Sequence, residues 1–340
     1  MSTDLRFGII GWGYWGPKIA RNLDSLAHAA VTMVADLMPQ RLAALRMQQP
    51  WLQTTIHVQD LLTADLDGIV IATPVHTHYQ LAKDALLCGK HVLVEKPLTA
   101  SVREAEELVT LAQRQHLTLM VGHTFEYSPA INKLRQLIQS GELGRIYSVE
   151  SQRVNLGLFR NDVNVIWDLA PHDISILLYL FNTLPLSVSV QSHAHLHSEL
   201  CDGAHMDLAF ADEITAHIHV SWLYPYKLRR MTVIGDARMA VYDETMPSEM
   251  LKIYDRGVDL HTDASVSYRH GAITLPYIDP IEPLRLECED FVHAIRTGER
   301  PRAHGEVGLA VVRVLEYAVQ EERRWKDAKT TFFLPSHSRN

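Results

Sequence analysis

Three cysteines in 340 residues, Cys88, Cys201 and Cys288, are too few and too dispersed for a disulfide framework or a Cys-x-x-Cys metal pair. Their scarcity suits a reducing compartment, so the cytoplasm is expected. Long hydrophobic runs are also missing: residues 174–181 come nearest, far short of the roughly 18 to 20 apolar residues of a membrane span. The N-terminal MSTDLRFGII has neither the basic start nor the longer apolar core of a secretion signal, which makes secretion and membrane insertion unexpected. There is no excess of positive charge; the formal net charge of −8 argues against a broad nucleic-acid surface and leaves a small molecule as the expected partner. No internal repeat or low-complexity segment occurs. With 47% hydrophobic residues, the chain has the apolar material for two packed cores and is neither disordered nor fibrous.

What is present is an alternation. Short apolar runs at 7–10, 31–35, 68–72, 91–94 and 117–121 read as strands buried on both faces, and helical spacing at 15–23, 40–47, 79–87 and 102–115 reads as the crossovers between them. Gly89 sits where a helix C-cap belongs. This predicts an α/β fold whose first domain, 1–122, is a doubly wound parallel sheet. After Gly122 the rhythm changes. A helix over 129–140, a strand from Ile146, a loop over 156–165, a helix over 167–181 and period-two stretches between 185 and 243 predict a second α/β domain, 123–340, with a large, mostly antiparallel open sheet. Two late helices, 283–296 and 305–324, are expected to pack back onto that sheet or onto the first domain. The last dozen residues read as a terminal strand and tail.

Gly11, Gly13 and Gly16, in GWGYWG, follow the first strand and open the first helix. In that context the first glycine permits the tight turn, the second lets backbone N–H groups approach a pyrophosphate, and the third lets helix and strand pack closely. Pro17 suits the first helical turn, where its missing N–H has no intrahelical partner. Asp36 ends the second strand twenty positions after Gly16, placed to accept hydrogen bonds from a ribose, so the cofactor read from the sequence is NAD rather than NADP. Arg41 leaves room for dual use, and helix capping is the structural alternative for Asp36.

Two further segments bear on the chemistry. Glu95-Lys96-Pro97 follows the fifth strand at the carboxyl edge of the sheet, where doubly wound folds bind ligands. Asp168-Leu169-Ala170-Pro171-His172 puts a carboxylate and an imidazole one turn apart on one helix face. A carboxylate so placed orients an imidazole that takes a proton from a substrate alcohol. Asp173 lies on another face, and its replacement is expected to matter less than that of Asp168. A surface lysine and an ordinary helix histidine are the plain alternatives.

GWGYWG, Asp36, Ala72-Thr73-Pro74 with His78, Glu95-Lys96-Pro97 and Asp168-x-x-x-His172 occur in the order seen in the Gfo/Idh/MocA oxidoreductases, which the chain resembles over nearly its whole length. The resemblance implies a bound nicotinamide cofactor and hydride transfer at a sugar-like carbinol. It also implies residue roles. Gly11, Gly13, Tyr14, Trp15 and Gly16 would lie along the pyrophosphate and Asp36 on the ribose; Thr73, Pro74, His78, Glu95 and Lys96 would line the way to the nicotinamide. Lys96, Asp168 and His172 would be catalytic, with His172 or Lys96 as the proton acceptor. The segment 161–167 departs from the glycine-rich run common in the family, so substrate contacts are not carried over there.

The stretch 283–291, followed by Arg296-Thr297-Gly298, is similar to family members that oxidise C3 of UDP-N-acetylhexosamines or their uronic acids. Free-sugar and inositol dehydrogenases, a glycosidase working through transient oxidation, and a non-catalytic NAD-binding regulator are the alternatives. His123, Arg153, Asn155, Arg160 and Asn161 are the candidate substrate contacts. Nineteen histidines, among them His193-x-His195-x-His197 and His217-x-His219, raise the question of a metal, but no carboxylate or cysteine cluster accompanies them and none is expected. Strands such as 215–222 look apolar on a face that a lone domain would expose, which predicts a homodimer or homotetramer.

Overall fold

The computed structural model describes residues 4–157, 159–160, 163–196 and 200–328. It divides into two units, Met1–Asn132 with Asp279–Arg313, and Lys133–Ile278 with Val314–Asn340. The first unit therefore reaches beyond the expected boundary at Gly122 and recruits a distant segment of the chain.

In the first unit, β1 (Leu5–Ile10), α1 (Gly16–Asp24), β2 (Ala29–Ala35), α2 (Pro39–Gln48), β3 (Gln53–Thr55), α3 (Val58–Thr63), β4 (Gly68–Ile71), α4 (Val75–Leu87), β5 (His91–Val94), α5 (Val102–Gln115) and β6 (Leu119–Val121) alternate along the chain; α6 (Pro129–Gln139) begins at its end. The six strands form one parallel sheet in the order β3-β2-β1-β4-β5-β6. The order reverses beside β1, so the loops after β1 and β4 open at the switch point where doubly wound sheets bind ligands. The apolar strand residues are buried because helices cover both faces. Ser101 caps α5, its hydroxyl accepting from the Glu104 N–H.

The second unit holds β7 (Ile146–Val154), α7 (Val165–Phe181), β8 (Ser187–His193), β9 (Gly203–Ala209), β10 (Thr215–Ser221), β11 (Leu228–Gly235), β12 (Met239–Asp243), β13 (Leu251–Leu260) and β14 (Val266–Thr274). These strands make one sheet in the order β14-β13-β12-β11-β7-β10-β9-β8, antiparallel except for the β7–β10 pair. Asn164 starts α7 by accepting the Trp167 N–H at 3.0 Å. On β10 the apolar residues Ala216, Ile218 and Val220 are fully buried, while Thr215, His217 and His219 are the more accessible. The expectation that this strand presents an apolar open face is thereby corrected: strand alternation turns its apolar set inward.

The chain then returns through α8 (Pro283–Thr297) and α9 (Gly305–Ala328). In the first unit, α8 lies along α1, and Phe291 packs on Phe7 of β1 with ring centroids 5.7 Å apart. The terminal strand and tail expected at the C-terminus fall outside the described residues. No helix among the described residues is long and apolar enough to cross a membrane.

Candidate active site

The glycine turn fits a dinucleotide. Gly11 has φ +100°, and a Cβ there would lie 2.5 Å from the Ala72 carbonyl oxygen; at Gly16 it would lie 2.1 Å from the Gly11 oxygen. At Gly13 the nearest atom to such a Cβ is Arg41 Nη1 at 3.9 Å, so the space over this backbone is open, as close approach of a phosphate requires. No side chain caps α1, so no side-chain oxygen competes with an anion there, although Pro17 has no N–H and the Lys18 N–H donates to the Trp15 carbonyl at 2.9 Å. Tyr14 is exposed and meets Trp15 edge to face, and Lys18, which sequence reasoning missed, puts its ammonium 3.4 Å from the centre of the Tyr14 ring. That stack sets a cation beside the phosphate-binding turn.

Asp36 is buried at the end of β2. Its Oδ2 accepts the Trp12 N–H at 2.6 Å and its Oδ1 the Met38 N–H at 2.8 Å, with Arg41 Nη1 3.2 Å from Oδ2. Oδ2 is taken up by Trp12 and Arg41, whereas Oδ1 keeps a lone pair for a ribose hydroxyl while the carboxylate braces the glycine turn. Asp36 is thus both ligand-ready and a structural acceptor.

Thr73 and Pro74 lead into α4, where the Thr73 and Thr77 hydroxyls are 2.6 Å apart. His78, expected along the cofactor's path, is only 1% exposed, with Nδ1 2.9 Å from the Pro97 oxygen and Nε2 2.8 Å from the Thr73 oxygen. Burial lowers its pKa. Its ring ties the loop after β4 to the loop after β5 and presents no nitrogen to a ligand.

Lys96 is partly exposed beyond β5, and its peptide bond to Pro97 is cis. Glu95 is buried against Gly122, where a Cβ would stand 3.4 Å from Oε2, so the glycine makes room for the carboxylate. Burial pushes the Glu95 carboxyl up to about 7, with Lys96 opposing. Glu287 on α8, also missed from the sequence, is pushed well up by burial and then by Glu95. His123 is buried, and neither ring nitrogen has a hydrogen-bond partner among the described residues. Burial, then the Lys96 charge, pushes its pKa down to about 3, which keeps the ring neutral.

In the second unit, Asp168 and His172 lie one turn apart on α7 and are both partly exposed, whereas Asp173 is buried. Asp168 Oδ2 accepts the Trp222 indole N–H at 3.0 Å, and Oδ1 lies 3.6 Å from Arg160 Nη1. Arg153 does not reach solvent: its Nε donates to Asp173 Oδ2 at 2.8 Å and Nη2 to Oδ1 at 3.2 Å, while the Ser151 hydroxyl donates to Oδ1 at 2.8 Å. A guanidinium so committed braces β7 against α7, which corrects its selection as a substrate contact. Asn155 sits at the end of β7, its N–H donating to the Ser221 carbonyl at 3.1 Å. Asn161 and His197 lie outside the described residues. The sheet histidines pair otherwise than as ligands: His205 and His219 stack 4.1 Å apart, and His195 and His217 each meet an aspartate. Among the described residues no group of three histidine, cysteine or acidic side chains is arranged to hold a metal.

Residues 5–123 match the model of an oxidoreductase family with an NAD-binding Rossmann fold, and residues 131–241 match the Gfo/Idh/MocA C-terminal domain. The chain belongs to the Gfo/Idh/MocA oxidoreductase family. It is 30% identical to the UDP-N-acetylglucosamine 3-dehydrogenase of Acidithiobacillus ferrooxidans over 93% of this chain and 96% of that one. The solved structure of that enzyme superposes with a TM-score of 0.79 at 27% identity, covering 95% and 98% of the two chains. An inositol 2-dehydrogenase of Rhizobium meliloti is 23% identical over 93% of this chain and 96% of its own. The α/β architecture, the NAD cofactor and the oxidoreductase activity expected from the sequence accordingly stand.

Proposed function

We propose that this oxidoreductase oxidises a carbinol of a sugar or sugar nucleotide, with C3 of a UDP-N-acetylhexosamine as the first candidate. The observation that carries the reaction type is the placement of Asp168 and His172 one turn apart on α7, both partly exposed, beside a buried Asp173. The substrate class is supported by the full-length likeness to a UDP-N-acetylglucosamine 3-dehydrogenase.

NAD, when bound, supplies the hydride acceptor. Gly13 and the first turn of α1 hold its pyrophosphate, and the Asp36 carboxylate accepts from its adenosine ribose, disfavouring a 2′-phosphate. His172 takes the proton of the substrate hydroxyl, and Asp168 orients the imidazole and stabilises its charged form. Lys96 donates to the reacting oxygen as charge develops there. The neutral His123 ring has both nitrogens available for a substrate or nicotinamide polar group, and Asn155 and Arg160 are the further substrate contacts in this reading.

A panel of UDP-sugars, free sugars and inositols, followed by NADH absorbance, tests it. The highest kcat/KM is expected for a UDP-N-acetylhexosamine; a free sugar or inositol in first place overturns the substrate, and no NADH from any arm overturns the dehydrogenase reading in favour of a regulator or a redox-neutral glycosidase. We also propose a cytoplasmic homo-oligomer, dimer or tetramer. The free state of all three cysteines supports the compartment, and the exposed Val258, Leu260 and Tyr268 on β13 and β14 support self-association. Sedimentation equilibrium reads the latter, with a concentration-independent monomer as the refuting outcome.

A further inference from the structure

We infer that Trp222 is a positioning residue for the Asp168 carboxylate: its indole N–H fixes the plane of that carboxylate and thereby the aim of His172. The inference rests on the roles given to Asp168 and His172 above.

Trp222 directly follows β10 and is 2% exposed. A buried indole N–H needs an acceptor, and most often a backbone carbonyl serves. Here the acceptor is Asp168 Oδ2, at 3.0 Å, on a side chain that is 19% exposed. A rigid buried donor is thus committed to a carboxylate at the protein's accessible face. Another neighbour of that carboxylate, Arg160, is 3.6 Å away and 41% exposed, so its charge is the more screened by solvent.

Trp222 is itself held through its main chain as well as its ring. The Trp222 N–H donates to the Asp202 carbonyl at 2.9 Å, and its own carbonyl accepts the Gly157 N–H at 3.1 Å. Phe159 meets the ring edge to face, with centroids 5.6 Å apart. One side chain therefore joins the end of β10, the first turns of α7 and the segment that follows β7. A neutral donor is suited to this task. It restrains one oxygen without cancelling the charge that stabilises an imidazolium one turn further along the helix, as a close guanidinium would.

Trp222→Phe keeps the ring and removes the N–H. The expected result is a kcat lower by about tenfold, the scale of one hydrogen bond to a charged group. NAD affinity and substrate KM should stay within about twofold of wild type, which separates orientation from binding. The acidic limb of the kcat profile should move up by about half a unit, because the carboxylate loses a donor that stabilises its charge and so holds the imidazole proton more strongly. In an Asp168→Asn background, Trp222→Phe should add less than about twofold, since the two changes act on one unit.

An unchanged kcat and limb in Trp222→Phe, with Asp168→Asn impaired, overturns the inference and leaves the catalytic reading standing. Fully multiplicative losses in the double variant overturn it as well. If Asp168→Asn and His172→Ala both keep wild-type turnover, the catalytic reading fails and the inference falls with it. Should Trp222→Phe not fold, the wild-type protein with 15N-labelled indoles gives the same answer. One of its six tryptophan N–H signals should shift with the pH of the acidic limb and lose that shift in Asp168→Asn. The absence of such a signal refutes the proposal.

Discussion

Arg153 on β7 grips Asp173 on α7 through two hydrogen bonds, Nε to Oδ2 at 2.8 Å and Nη2 to Oδ1 at 3.2 Å, with both side chains 3% exposed. Breaking such a pair from one side leaves a buried guanidinium less fully compensated, with Glu244 Oε2 3.5 Å from Nη1. Asp173→Asn should therefore destabilise the protein by about 3 kcal/mol, read as a lower urea midpoint at unchanged slope. Asp173, taken from the sequence as the milder neighbour of Asp168, is thus expected to be the more sensitive of the two where stability is read. A midpoint within error of wild type would show that the pair contributes nothing.

Asp168→Asn should do the opposite, lowering turnover at nearly unchanged stability. His172→Ala and Lys96→Ala are each expected to lower kcat by on the order of 10² to 10⁴ with NAD affinity nearly intact, as loss of a proton acceptor or of a donor to the reacting oxygen demands. Stopped-flow turnover with the best substrate of the panel, beside a fluorescence titration of NAD, measures both quantities. Near-wild-type kcat in both alanine variants would reassign the cofactor to a structural or regulatory role.

Asp36 supports the glycine turn through the Trp12 and Met38 amides and faces Arg41. Asp36→Ala is expected to raise the Kd for NAD by about tenfold and to narrow the preference over NADP, because the carboxylate that repels a 2′-phosphate is gone and Arg41 is released. Fluorescence titration with both dinucleotides checks this. Tighter binding of NADP by the wild-type protein would remove the argument from Asp36.

Glu95 gives a stability signature in pH. Burial holds its carboxyl up to about 7, against 4.5 for an ordinary glutamate. In the folded chain it keeps a proton that the unfolded chain releases from about pH 4.5 upward. Its favourable contribution is present below that pH and is lost as the pH rises through about 7, by up to about 3 kcal/mol. Glu287 shifts in the same direction. Urea midpoints at pH 5 and pH 8 should differ less in Glu95→Gln than in wild type; parallel behaviour of the two proteins would contradict the assignment.

The parallel sheet was legible because each of its main strands is an apolar run buried on both faces, and β5 and α5 begin and end where the pattern places them. The short β3 and α3 carry too few residues to show a period. The β13–β14 hairpin was missed for a different reason: most of its residues are exposed on both faces, so no apolar alternation marks it. At the site, the glycine turn, Asp36, Glu95-Lys96 and Asp168-x-x-x-His172 are local patterns and could be read. Trp222 could not, since its acceptor lies 54 positions away and a tryptophan after an apolar strand reads as core. Glu287 and the Arg153–Asp173 pair were hidden in the same way, as ordinary residues of amphipathic elements whose partners only the fold supplies.

Residues 279–313 complete a unit that starts at the opposite end of the chain, with Phe291 laid on Phe7 and the Tyr127 hydroxyl donating to Asp290 Oδ2 at 2.7 Å. On the ribosome, residues 1–132 emerge long before the segment that closes their core. The nascent half-domain must wait, with part of its apolar surface uncovered, while some 150 intervening residues are synthesised over roughly ten to thirty seconds. Expressed alone, residues 1–132 should behave as an aggregation-prone fragment, so the cofactor domain of this enzyme is not a cassette that can be lifted out by cutting at the end of its sheet.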